Sequence, residues 1–198
     1  ERLITIEVRG DRVRAGAGVP LLALQDALDL HGRWFPPVPT YMGAFVGGVV
    51  ATCAAGAATF KYGTVRPWVE GLTVVGEGFG PDNNYGWGLM TRTNHHVRLA
   101  GNTISGMAVG GITSIEATNL EITGNEVHDN SFWGPEQGSG ISLWHSRDAG
   151  TDPGPDGYHD RIVGNLVYRN ENKVPSMFRS NRIITDGNGI IVDQADQT

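Results

Sequence analysis

The sequence predicts a mainly β protein. Three observations carry that prediction: a glycine-rich and aromatic-poor composition, a 23-residue spacing between matching motifs in the C-terminal part, and short apolar alternations bounded by G-N turns. The 198 residues include 29 glycines and only 8% aromatics. Glycine supplies the φ > 0 positions of tight corners and weakens helices, so this balance favours turn-rich β structure over a helical bundle. An apolar content of 39% is enough for a sizeable core.

Charge divides the chain. Residues 1–75 hold seven Lys/Arg against six Asp/Glu, a balance of +1, whereas residues 76–198 hold eight against fifteen, a balance of −7. The basic residues from Arg92 to Arg182 are scattered among carboxylates, which speaks against a nucleic-acid surface. The longest apolar stretch, Phe45 to Ala58, is glycine-broken and too short to cross a bilayer. Cys53 stands alone, so no internal disulfide framework is expected, and it reads as a small buried residue. The chain starts at Glu1 without an initiator Met or signal peptide, which leads to the expectation of a fragment.

In order along the chain, Leu3 to Val8 alternates as a strand, Gly10-Asp11 makes a hairpin-like turn, and Arg12 to Ala15 returns as a second strand. Pro20 opens a helix with a broad apolar face of Leu21, Leu22, Leu24, Leu28 and Leu30, and His31-Gly32 closes it. Three prolines between Trp34 and Thr40 impose a loop. Glycines and alanines then crowd MGAFVGGVVATCAAGAATFKYGTVRPWVEGLTVV from Met42 to Val75. Residues 76–85, GEGFGPDNNY, are turn-forming and barely apolar, and mark a junction.

That stretch, with the upstream VRAGAGVPLLALQDAL and FPPVPT, resembles part of the FAD-binding domain of vanillyl-alcohol-oxidase (PCMH-type) oxidoreductases, over residues 1–75. The resemblance implies FAD as cofactor. It places a GG-x-x-A turn and a small-residue loop against the flavin and its pyrophosphate, here Gly47, Gly48, Ala51 and Gly56, where bare backbone N–H groups can approach an anion. Lys61, Tyr62 and Gly63 match the family's basic-Tyr-Gly turn, and Val69 to Val75 its strand past the cofactor. The family's glycine-rich pyrophosphate loop precedes the VRAGAG strand, where this chain has a dozen residues. Cys53 follows the double glycine, out of place for covalent flavin attachment. Gly16-Ala17-Gly18 lacks the third glycine and the βαβ setting of a dinucleotide fingerprint.

Beyond the junction the chain repeats. Aligning GWGLMTRTNHHVRLAGNTISG with VGGITSIEATNLEITGNEVHDN matches Gly88 with Gly111, Asn102 with Asn125 and Ile104 with Val127, each 23 residues apart. A third unit runs from Gly138 through SGISLWHSR and resumes at HDRIVGNLVYRN, where Asn165 and Asn170 repeat the spacing of Asn125 and Asn130. A fourth begins at Asn188 as NGIIVDQ. This pattern is similar to the right-handed parallel β-helix of the pectate-lyase-like superfamily, with about three to four coils over residues 86–198. Stacked coils would align Asn102, Asn125 and Asn165 as a ladder of amides.

In that register Leu89, Ile112, Ile141 and Ile190 face inward, as do Thr91, Ser114, Leu143 and Val192. Arg92, Ile115, Trp144 and Asp193 form an outer row, with Thr93, Glu116, His145 and Gln194 beside it where the strand gives way to a turn. Arg92, Glu116, His145 and Asp193 are the candidate catalytic residues, and Trp144 and Arg147 the candidate substrate contacts. Such a set suits a saccharide, with an aromatic face for a sugar ring and charged groups for its hydroxyls. Glu116 and Asp193, two strands apart at ~9 to 10 Å, fall at the outer limit for an inverting carboxylate pair. The resemblance to superfamily lyases implies instead Arg92 as base and calcium on Asp193 and Asp196. Asp148, Asp152 and Asp156 lack the spacing of a calcium loop, and His95, His96 and His128 read as surface residues.

The expected function is a carbohydrate-binding or polysaccharide-cleaving β-helix protein carrying a partial flavin-binding segment, with a polysaccharide or oligosaccharide partner and neither nucleic acid nor membrane. The alternative is an FAD-dependent oxidoreductase, and the second alternative a chimeric or excised fragment without activity. Location follows function: extracellular or periplasmic for the first, cytoplasmic for the flavoenzyme.

Overall fold

The computed structural model describes residues 2–37, 39–146, 160–178, 184 and 189–194. It falls into two compact units, Glu1–Glu70 and Gly71–Thr198.

The first unit opens on an antiparallel hairpin, β1 (Ile6–Arg9) and β2 (Arg12–Ala15), turning at Gly10 with φ +63°. Its inward residues Ile6, Val8, Val13 and Ala15 pack on a core of Val19, Leu21, Leu24, Leu28, Val49 and Val65. Helix α1 (Leu21–Asp29) begins after Pro20, whose missing N–H costs nothing at a helix start. Leu21, Leu24 and Leu28 recur at helical spacing and are buried, each contributing about 1.5–3 kcal/mol of transfer free energy. The apolar face is narrower than expected, because Leu22 and Leu30 are exposed. Gly32, at φ +63°, carries the chain out of the helix, and the Arg33 N–H returns to the Leu28 carbonyl. The proline-rich loop is pinned by Gln25, whose side chain both donates to the Phe35 carbonyl and accepts from its N–H. Two short helices follow, α2 (Val46–Ala51) and α3 (Thr59–Tyr62).

The second unit begins earlier than the sequence indicated. Strand β3 (Thr73–Val75), expected to close the front segment, pairs in parallel with β6 (Thr103–Ser105). The Leu72 N–H bonds the Asn102 side chain and the Gly76 N–H bonds the Ser105 carbonyl, so this strand is bonded at both ends. The stretch 76–85 is likewise no bare junction, since Phe79 packs against the second core.

From there the strands are β4 (Trp87–Arg92), β5 (His95–Ala100), β7 (Gly110–Ile115), β8 (Thr118–Thr123), β9 (Glu126–His128), β10 (Ile141–Trp144), β11 (Arg161–Val163), β12 (Leu166–Tyr168) and β13 (Ile190–Asp193). They form three parallel sheets, ordered β13-β10-β7-β4, β11-β8-β5 and β12-β9-β6-β3, which the chain visits in rotation. Apolar residues repeat at matching positions: Leu89, Ile112 and Ile141 in the first sheet, Leu99, Ile122 and Ile162 in the second, Val74, Ile104, Val127 and Val167 in the third. All contribute to one core. The asparagine ladder is present. Asn102 Nδ2 donates to Asn125 Oδ1 at 2.9 Å and Asn125 Nδ2 to Asn165 Oδ1 at 2.8 Å, while Asn130 and Asn170 form a second ladder at 2.9 Å.

Candidate functional site

In the first unit, the double glycine is not a loop but part of α2. Gly47 is forced by packing, since a Cβ there would stand 2.8 Å from that of Ala17, and its N–H is already committed to the Ala17 carbonyl at 2.9 Å. Gly48 is different: it is exposed, with nothing within 4 Å of where a Cβ would stand. Ala51 and Ala55 are exposed as well. The Gly56 N–H donates to Thr59 Oγ1 at 2.8 Å, and Gly63, at φ +77°, closes α3 in open space. The Lys61 ammonium lies 5.0 Å from the Tyr62 ring centroid, and Tyr62 meets Trp34 edge-on. Exposed backbone at Gly48, a cation at Lys61 and the aromatic edges of Tyr62 and Trp34 are features that an anionic or flat cofactor can use. Cys53 is only part-buried, contrary to expectation, with φ +49°. Hydrogen bonds from Thr64 first and then Arg66 hold its thiol below the ordinary range.

In the second unit the register places Arg92, Ile115, Trp144 and Asp193 in one row across the first sheet. Thr93, Glu116, His145 and Gln194 all lie at φ between +50° and +53°, making a left-handed corner at the end of every strand of that sheet. Parallel pairing runs one residue past the strands, with Glu116 N–H to the Trp144 carbonyl at 2.8 Å and His145 N–H to that of Asp193 at 3.0 Å. Trp144 is 42% exposed, and its indole N–H donates to Asp193 Oδ2 at 3.2 Å. The His145 ring meets it edge-on at 6.4 Å. Trp144, His145 and Asp193 are therefore brought together, whereas Arg92 stands at the far strand of the row. No salt bridge joins Arg92 to Glu116 among the described residues. Arg147, Asp196, Asp148, Asp152 and Asp156 lie outside them. No three His, Cys, Asp or Glu side chains converge on a metal position among the described residues, so calcium gains no support.

A second polar cluster escaped the sequence reading. On the third sheet His128 stacks on Tyr168 at 4.9 Å, and its Nδ1 pairs with Asp129 Oδ2 at 2.6 Å. Arg169 donates to the same Asp129 oxygen at 2.6 Å, and the Tyr168 hydroxyl donates to Glu126 at 2.8 Å. The hydrogen bond from Arg169, then that from His128, holds the Asp129 carboxyl below the usual range, while Glu126 pushes the Tyr168 phenol up. The signal lay in the aligned segments NEVHDN and NLVYRN, which put His over Tyr and Asp over Arg.

Against known proteins, a family model described as FAD binding domain matches residues 1–78. Over 77 residues the chain is 46% identical to D-lactate dehydrogenase of Archaeoglobus fulgidus, a match covering 38% of this chain and 17% of that protein. No solved structure matches. The family match falls on the front of the chain, and the two comparisons together favour the flavin expectation over the saccharide one. Residues 1–78 therefore carry an FAD-binding-domain segment.

Proposed function

We propose that residues 1–78 supply part of the FAD site of an FAD-dependent oxidoreductase of the vanillyl-alcohol-oxidase type, acting on a small 2-hydroxy acid. The single observation behind this is the 46% identity, over 77 residues, to the archaeal D-lactate dehydrogenase. The chain spans about a sixth of that protein's length, 17%, so substrate and activity are inferences from the relative. FAD, when bound, supplies a two-electron acceptor. This chain's own part is recognition. Gly48 and Ala51 offer backbone that a flat ring or a pyrophosphate can approach, Gly56 and Gly63 shape the loops beside it, and Lys61 supplies positive charge. Gly47 acts indirectly, by letting α2 sit against Ala17. The test is the visible spectrum of the purified chain after incubation with FAD and gel filtration. Retained flavin that dithionite reduces is the expected result, and FAD eluting wholly free of protein sinks the proposal.

A second reading concerns residues 71–198. We infer that the three parallel sheets wind as a right-handed parallel β-helix, and that the row with Arg92, Trp144 and Asp193, together with Glu116 and His145 at the corner beside it, binds an oligosaccharide. Its support is the part-exposed Trp144 ring, held in orientation by Asp193. Calorimetric titration with neutral and uronate oligosaccharides should give binding that Trp144→Ala abolishes. Equal heats from protein and variant count against it.

A further inference from the structure

His95 and His96 are consecutive residues of β5, where strand alternation sends neighbouring side chains to opposite faces. His96 breaks that rule with φ +55°. The left-handed kink swings its ring round, and the two imidazoles meet with their Nδ1 atoms 2.9 Å apart, ring centroids at 5.1 Å and planes at 89°. Both residues are exposed, and β5 is the end strand in the order β11-β8-β5.

The separation is informative. With metal–nitrogen bonds of ~2.0 Å, two nitrogens in adjacent square-planar positions lie ~2.8 Å apart, whereas tetrahedral positions hold them at ~3.3 Å. The observed 2.9 Å fits the right-angled bite. We propose that His95 and His96 together chelate a divalent transition-metal ion of tetragonal preference, Cu²⁺ above all. Both imidazoles then carry their proton on Nε2, which leaves the Nδ1 lone pair of each to the metal. No third His, Cys, Asp or Glu converges among the described residues, so solvent completes the coordination and the site is an open one. The acidic balance of residues 76–198, eight Lys/Arg against fifteen Asp/Glu, favours a cation on this part of the chain. The Irving–Williams order favours Cu²⁺ over Zn²⁺ at such a nitrogen pair. The proposal is independent of flavin and saccharide binding.

The test is a titration of the purified chain with CuCl₂, followed by calorimetry and by electron paramagnetic resonance. One tight equivalent is expected, with an axial spectrum split by two nitrogens. His95→Asn and His96→Asn should each weaken it by roughly tenfold or more, a loss of about 1.4 kcal/mol. His31→Asn, His128→Asn and His145→Asn should leave it unchanged. Circular dichroism of each variant checks that the fold is kept. Copper bound equally well by His95→Asn/His96→Asn, or lost instead with His145→Asn, overturns the assignment. Zn²⁺ displacing Cu²⁺ at equal concentration overturns the square-planar geometry.

Discussion

Asp129 shows how much one carboxylate can hold. It accepts from Arg169, the residue just past β12, and pairs with His128 at the end of β9, so its charge ties together the ends of two strands of the third sheet. Because its pKa is depressed in the folded state, the folded protein binds that proton less readily than the unfolded chain. Its contribution is therefore complete above the ordinary aspartate value of about 3.9 and is lost as pH falls through the lower folded value. Asp129 is about a third exposed, which limits the energy at stake. Urea unfolding measured from pH 6 to pH 3 should show the native protein losing more stability than Asp129→Asn. Parallel pH profiles would remove Asp129 from the account.

At the scale of elements, glycines with opposite surroundings make opposite predictions. A Cβ at Gly71 would stand 2.1 Å from the Gly101 carbonyl oxygen, a backbone atom of the neighbouring turn, so Gly71→Ala should cost about 1–3 kcal/mol. Gly48 lies inside α2 with open space around it, and Gly48→Ala should stabilise by about 0.5–1 kcal/mol while lowering FAD retention. Urea midpoints at unchanged slope, together with the flavin spectrum, check both. The same contrast explains what could be read in advance. The hairpin, α1, the registers of β4, β7, β10 and β13 and the Asn102 ladder were legible, because apolar periodicity and corner residues are written locally. Strand β3 was expected as a strand of the front segment, and its place in the repeat was hidden because Leu72 occupies the position that Asn102 and Asn125 take later, which removes the repeat's marker. Likewise the meeting of His95 with His96 depends on one positive φ at a residue that usually avoids it. The cluster around Asp129 needed pairing between residues 40 apart.

For the molecule as a whole, two separate cores and two charge balances sit in one chain, and the family match covers residues 1–78. The saccharide expectation rested on the longer repeat, yet the family match falls on the shorter front segment. The ladders of the second unit have one further consequence. The N–H groups of Leu72, Asn102, Asn125, Met107 and Asn130 each bond a side chain that comes later in the sequence, Asn102, Asn125, Asn165, Asn130 and Asn170 respectively. The debt always points forward. A corner emerging from the ribosome keeps its donor without that side-chain partner until 23 to 40 more residues have been made, so these corners are completed in the direction of synthesis.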